Sequence, residues 1–208
     1  MAIVAEADIH GHFAFAGAGA LMALGVIDRP TYDVDFFATR PDEVEEIHPR
    51  LVEAMLGREM EVRELHSSPG FRRLEVHRGE EVSLIDLGCD SREWPTGPNP
   101  LGSGRVLAVE ELIASKVLAL FTRAEPRDFL DVWRLTEQFG QNLMLRLAEA
   151  KDAGFSIPYF REMLARFERL PRQEFLVDEG TYQALATFVG QWRIGLEPRK
   201  PSGPSLGP

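Results

Sequence analysis

Three aspartates stand in surroundings that do not favour a bare charge. Asp33 and Asp35 open the run Asp33-Val34-Asp35-Phe36-Phe37-Ala38, whose other residues are apolar. Residues two apart on a strand point to the same side, so these carboxylates lie side by side and repel unless something positive sits between them. Asp86 interrupts a second apolar run, Val82-Ser83-Leu84-Ile85-Asp86-Leu87, where a charge without a partner is expensive. If the two runs are neighbouring strands, three acids converge on one edge of one sheet. Oxygen-only donors of this kind suit magnesium, which keeps phosphate oxygens in its shell. Asp33, Asp35 and Asp86 as metal ligands fit a two-ion phosphoryl-type transfer. One ion lowers the pKa of the attacking hydroxyl, while the other neutralises a triphosphate and its pyrophosphate leaving group. The plainer alternative is that Asp33 turns the chain and Asp35 pairs with a neighbouring cation.

Two further segments carry matching chemistry. Gly17-Ala18-Gly19-Ala20 lies between a strand-like and a helix-like run, where glycines let backbone N–H groups approach a phosphate. It also looks like the start of a dinucleotide-binding fingerprint. Met22 replaces the third glycine of that pattern, however, and no repeated strand–helix–strand pattern follows. Farther on, Lys116 interrupts the apolar face of Leu112, Ile113, Val117, Leu118, Leu120 and Phe121, and Arg123, Arg127, Asp128 and Asp131 follow it. A lysine so placed either extends to the surface or meets an anion. Lys116, Arg123 and Arg127 can grip a triphosphate, with the aspartates aiming them. The alternative is a salt-bridge network that ties two helices together.

The elements needed to position these groups are legible in outline. Short strands are expected at His12 to Gly17, Asp33 to Ala38, Glu59 to Leu65, Phe71 to Arg78 and Glu81 to Leu87. The last two are joined by the tight Arg78-Gly79-Glu80 turn. Helices are expected at Ala18 to Leu24 and at Asp42 to Leu56, the latter with Val44, Ile47, Leu51 and Met55 on one face. Cys89 to Gly104, with three prolines, reads as an irregular connection. Beyond it the sequence becomes a series of amphipathic helices, at Val109 to Phe121, Pro126 to Phe139, Leu143 to Ala153, Pro158 to Arg169 and Glu179 to Trp192. The expected organisation is a core over residues 1–105, a helical domain over 106–195, a cleft between them, and a flexible tail over 196–208 rich in Pro, Gly and Ser.

Composition sets limits. The chain has 208 residues and a net charge of −10. Proteins that hold nucleic acid by neutralising phosphates are usually basic, so any nucleic-acid contact must come from a local patch. No apolar run approaches the ~20 residues of a membrane span. The one cysteine, Cys89, fits a reducing compartment, and a cytoplasmic location with no membrane partner is expected. Cys89 has no lysine or arginine within two residues to activate it as a nucleophile. His10-Gly11-His12 lacks supporting ligands and reads as a frayed segment. Trp94, Trp133 and Trp192 read as packing residues.

The motifs now on the page resemble a known family. Gly17-Ala18-Gly19-Ala20-Leu21, then Arg29-Pro30-Thr31-Tyr32-Asp33-Val34-Asp35, then Ser115-Lys116, Arg123 and Arg127-Asp128-Phe129-Leu130-Asp131 are similar to the motif series of the AbiEii/AbiGii-type nucleotidyltransferase toxins. These are a branch of the polymerase-β-like nucleotidyltransferase superfamily, and the likeness covers roughly residues 13 to 135. The resemblance implies an α+β fold, with a nucleotidyltransferase core built on a short mixed sheet and followed by a helical C-terminal half. It implies magnesium-dependent transfer of a nucleotide from a nucleoside triphosphate to an acceptor, the 3′ end of tRNA in better-understood members, opposed by an antitoxin protein. By residue, it implies metal ligation by Asp33 and Asp35, triphosphate binding by Lys116, and a further essential acid at Asp128 or Asp131. Asp86 matches the third carboxylate of the superfamily less closely.

One departure stands out. Gly19 occupies the position of the family's Ser/Thr, removing a hydroxyl that helps hold phosphate. Weaker activity, an altered nucleotide preference and a degenerate enzyme all remain open. Thr31 is a candidate replacement hydroxyl for the nucleotide, or a modification point. Two rival readings share the fold: a transferase acting on a small molecule such as an antibiotic, and a decayed binding or regulatory protein. Arginines beside the site (Arg50, Arg58, Arg72, Arg73, or Arg161, Arg166, Arg169, Arg172) would favour an RNA acceptor.

Overall fold

A computed structural model describes residues 2–8, 10–28, 31, 33–90 and 94–197. The chain divides into two compact units, residues 1–115 and 116–208. The first is built on a mixed sheet, and the second is helical.

Among the described residues the sheet has seven strands, β1 (Ala14–Ala16), β2 (Asp33–Ala38), β3 (Glu61–Ser68), β4 (Phe71–Arg78), β5 (Glu81–Cys89), β6 (Asn99–Leu101) and β7 (Gly104–Val106). They lie in the order β3-β4-β5-β2-β1-β7-β6. β2 pairs with β5, and β1 with β7, in parallel; the other neighbours are antiparallel. Alternation along the central strands separates two faces. One carries Val34, Phe36, Leu74, Val76, Ile85 and Leu87. A cavity of about 400 Å³ bounded by Val34, Phe36, Val76 and Ile85 also meets Met55 of α3 (Pro41–Leu56) and Ile3 and Val4 of α1 (Ala2–Ala7), so this face turns toward those helices. α3 buries Val44, Ile47, Leu51 and Met55, the stripe expected from its 3.6-residue periodicity. Pro41 sits in its first turn, where a missing N–H has no consequence. The opposite face carries Asp33, Asp35, Asp86 and Arg73.

Two parts of the first unit differ from expectation. The segment read as irregular contains the β6–β7 hairpin, turned at Gly102 with φ +57°. Proline is tolerated in β6 because this strand is the outer edge of the sheet, where Pro100 needs only one neighbour. The residues around His10 are also tied down rather than frayed. The Asp8 carboxylate accepts from the N–H groups of His12 (3.0 Å) and Phe13 (2.7 Å), and His12 Nδ1 lies 3.0 Å from the buried Glu43. Glu43 in turn accepts from the N–H groups of Thr39 and Arg40, fixing the entry to α3.

α2 (Gly17–Ala23) follows β1 directly, and α4 (Val109–Thr122) follows β7. The second unit contains α5 (Pro126–Phe139), α6 (Gln141–Lys151), α7 (Ile157–Ala165), two short 3₁₀ turns at Arg166–Arg169 and Arg172–Phe175, and α8 (Glu179–Gly195). Its core is aromatic, with Phe129 against Phe167 (centroids 5.3 Å), Phe167 against Phe175 (5.0 Å) and Phe160 against Trp192 (5.2 Å). α8 is capped by Asp178, whose carboxylate accepts from the Thr181 N–H at 2.9 Å. The C-terminal run from residue 198 lies outside the described residues.

Leu87 is fully buried beside Asp86, on the helix-facing side of β5. Leu87→Ala is expected to lower unfolding stability by about 2–5 kcal/mol through lost burial and a residual cavity. Urea denaturation of the purified protein measures it.

Candidate active site

The acidic face is assembled by strand register. Asp35 of β2 pairs with Asp86 of β5, and Asp33 with Leu84. Paired residues share a face, so Asp35 and Asp86 are lateral neighbours, with Asp33 one pleat along. On either side the row continues to Ala16 of β1 and to Arg73 of β4. The convergence expected from sequence is therefore present at the level of strand, face and register.

Arg73 changes the character of this group. Its Nε donates to Asp86 Oδ1 at 2.7 Å and its Nη2 to Oδ2 at 2.5 Å, a two-pronged pair across β4 and β5. Hydrogen bonding to Asp86 raises the Arg73 pKa further above its already high value. Burial opposes the shift, and the charges of Asp86, Asp33 and Asp35 add to it. The donors fit a hard divalent cation in kind, since all are carboxylate oxygens on one face. Yet among the described residues no group of three or more His, Cys, Asp or Glu side chains is disposed to hold a metal ion. At Asp86 the Arg73 fork engages both carboxylate oxygens. Sequence reasoning missed this role for Arg73. The signal was available: the tight turn pairs Arg78 with Glu81, and counting five residues outward along each strand reaches Arg73 and Asp86.

The glycine turn is shaped around the acids. Gly17 opens α2 with φ +65°, and a Cβ there would lie 1.7 Å from Asp35 Oδ2. Only a glycine lets the carboxylate rest against this backbone. Ala16, the residue before α2, makes no side-chain cap to the helix. A Cβ at Gly19 would lie 2.7 Å from Phe15 Cζ. The Ser/Thr expected there is thus displaced by an aromatic ring that fills the same space. Thr31, the candidate replacement hydroxyl, meets the backbone of Asp33 in this structure. Its Oγ1 donates to the Asp33 carbonyl and accepts from the Asp33 N–H, both at 3.3 Å, at the entry to β2. Arg29, Pro30 and Tyr32 of the same motif lie outside the described residues.

In the second unit the expected cations meet acids. Lys116 Nζ lies 2.8 Å from Asp131 Oδ2, with the lysine 14% and the aspartate 1% exposed. Arg123 grips Asp128 with Nε (2.9 Å) and Nη2 (2.8 Å), and Asp128 also accepts from the Glu125 N–H at the start of α5. Arg127 donates to Glu125 at 3.0 Å and is half exposed. Asp128 and Asp131 are both buried. The pairing joins α4 to α5, while Lys116 has donors beyond its one contact to Asp131.

Six of the eight arginines weighed for nucleic-acid contact are ion-paired. Arg50 pairs with Glu46, Arg58 with Glu6, Arg72 with Glu45, Arg73 with Asp86, Arg161 with Glu197 and Arg172 with Glu179. Arg166 and Arg169 are exposed and lie three apart on a 3₁₀ turn, where such residues eclipse. With Tyr159 they line a hollow of about 360 Å³.

Comparison with known proteins bears on this arrangement. The profile of the family described as "Nucleotidyl transferase AbiEii toxin, Type IV TA system" matches residues 2–191. No curated protein matches the chain. Among solved structures, JHP933 from Helicobacter pylori aligns over 94% of this chain and 90% of its own, with TM-score 0.59 and 15% identity. MenT4, a nucleotidyltransferase toxin from Mycobacterium tuberculosis, aligns over 90% of this chain and 77% of its own, with TM-score 0.58 and 19% identity. These likenesses carry the fold.

The Phe15 ring makes a specific demand on the glycine turn. Restoring the family hydroxyl by Gly19→Ser is expected to cost about 1–3 kcal/mol through overpacking. The double change Gly19→Ser with Phe15→Leu should recover part of that loss. Equal melting temperatures for the single variant and the parent would refute the steric account.

Proposed function

This chain belongs to the nucleotidyl transferase AbiEii toxin family of type IV toxin–antitoxin systems, and it is a nucleotidyltransferase; we propose that it moves a nucleotide from a nucleoside triphosphate onto the 3′ end of tRNA. The reading includes magnesium dependence, action in the cytoplasm and opposition by an antitoxin protein. The observation that carries it is the register row Asp35–Asp86 with Asp33 alongside, cradled by Gly17.

In this mechanism the acceptor hydroxyl gives up its proton to solvent and its oxygen attacks the α-phosphorus. The bond from that phosphorus to the bridging oxygen breaks, and pyrophosphate departs. Asp33 and Asp35 are the residues that would hold magnesium, with Asp86 as a third ligand. When bound, the ion supplies charge neutralisation on the triphosphate and a lowered pKa for the attacking hydroxyl. Lys116 binds the triphosphate through donors beyond its bond to Asp131, and that bond fixes the direction of its ammonium. Asp128 holds Arg123 in the same way, which supports a positioning role for the acid. Arg127, half exposed, and the backbone of Gly17 and Gly19 complete the proposed nucleotide contacts.

Two observations favour a second reading, transfer to a small hydroxyl compound. The net charge is −10, and most of the arginines that could meet RNA are already paired with glutamates or aspartates. Arg166 and Arg169 are the pair on which an RNA contact would rely.

Incubation with labelled nucleoside triphosphates, magnesium and total RNA separates these readings. Label on tRNA is the expected result, and it should vanish with EDTA. Label confined to small molecules would replace the RNA reading, and no transfer under any condition would point to a decayed site. Asp35→Ala should abolish transfer while leaving thermal stability within about 1 kcal/mol, since it relieves crowding among like charges. Full activity in that variant would refute the metal assignment.

A further inference from the structure

The first unit contains two consecutive arginines with opposite designs. Arg72, on the helix-facing side of β4, is 13% exposed; it pairs with Glu45 and donates to the carbonyls of Ser68 (2.6 Å) and Phe71 (2.8 Å). It is tied from several sides and fixes β4 to α3. Arg73, on the acidic face, is 45% exposed, and its described hydrogen bonds all go to one carboxylate, that of Asp86. Its guanidinium also lies 5.9 Å from the centroid of the Phe71 ring on the same face, within range of a cation–π contact. Asp86 is 13% exposed, so the pair is open to solvent chiefly on the arginine side, where an arriving anion would meet the guanidinium. A phosphate presents the same two-oxygen geometry as a carboxylate and carries more charge.

We propose that Arg73 is a latch on the carboxylate site: in the substrate-free protein its guanidinium holds both oxygens of Asp86 away from Asp33 and Asp35, and the triphosphate of the incoming nucleotide takes the guanidinium over and releases Asp86 as a cation ligand. The inference rests on the nucleotidyltransferase reading of this face and adds an order to it. Full coordination of the divalent cation awaits the triphosphate, so the free protein holds that cation weakly. Arg73 is a positioning residue in this account, acting on the cation through Asp86 and on the nucleotide directly. The exchange involves no covalent step, since one ion pair is replaced by another.

The test uses the full chain and two probes that need no knowledge of the base. Mn2+ is titrated without any phosphate compound, with the free ion followed by electron paramagnetic resonance. Inorganic tripolyphosphate is titrated in EDTA by calorimetry. Arg73→Gln should bind Mn2+ about tenfold more tightly than the parent and tripolyphosphate about tenfold more weakly, the size of one charge-assisted contact. Arg73→Lys, which keeps the charge and loses the fork, should fall between the two and serves should Arg73→Gln fold poorly. Adding Asp35→Ala to Arg73→Gln should remove the gain in Mn2+ affinity. Unchanged or weaker Mn2+ binding in both arginine variants overturns the latch, as does a gain that survives loss of Asp35. Because these readouts are binding constants, a latch that behaves as described in a protein that labels no acceptor would refute the transfer reading alone. Transfer with unchanged Mn2+ affinity would refute the latch alone.

Discussion

The parallel pairing of β2 with β5 is the constraint on which the site depends. Their register sets Asp35 beside Asp86 and Phe36 beside Leu87, so one alignment decides the chemistry of one face and the packing of the other. A slip by one residue would carry Asp86 among the side chains that face α3 and move Leu87 onto the acidic face. The register is therefore held by burial. Phe36, Ile85 and Leu87 are nearly or fully buried on the helix-facing side, and Phe37 lies over Gly88 so closely that a Cβ there would be 2.4 Å from the ring. Placement of the carboxylates is in this sense a by-product of core packing.

Small residues then adapt the surroundings of the acids. Gly17 makes room for Asp35, Gly88 for Phe37, and Gly19 for Phe15, whose ring also packs against Phe36 at 5.4 Å. The last of these changes the meaning of the glycine turn. Its departure from the family pattern falls where an aromatic ring four positions earlier leaves no room for a Cβ. A backbone N–H remains at that position, as it would with serine.

Much of this was readable from sequence because local patterns and tertiary demands agree in the middle of the chain. β2 and β4 fall where alternation places them, α3 follows its apolar stripe, and α5 begins at Pro126. The failures have particular causes. β6 and β7 are three-residue strands at a proline-containing edge, too short for any periodicity to register. α1 has no acidic residue in its first turn to mark its start. The acids of the site were legible as anomalies, charges inside apolar runs. The partner of Asp86 was not, because Arg73 sits in a strand that also carries Arg72, Glu75, His77 and Arg78 and has no anomaly of its own. Its role arises from cross-strand geometry, which composition does not encode.

A sheet with one face given to helices and the other to carboxylates has two rims left through which copies of the molecule could join. β3 forms one of them, and most of its side chains, including Glu61, Arg63, Glu64 and His66, are exposed. Its alignment with β4 also shifts between Glu64 and His66. Charged, kinked borders of this kind resist the addition of a foreign strand, and Pro100 does the same at the far rim. At both rims the sheet is therefore a poor template for pairing with a strand from another molecule.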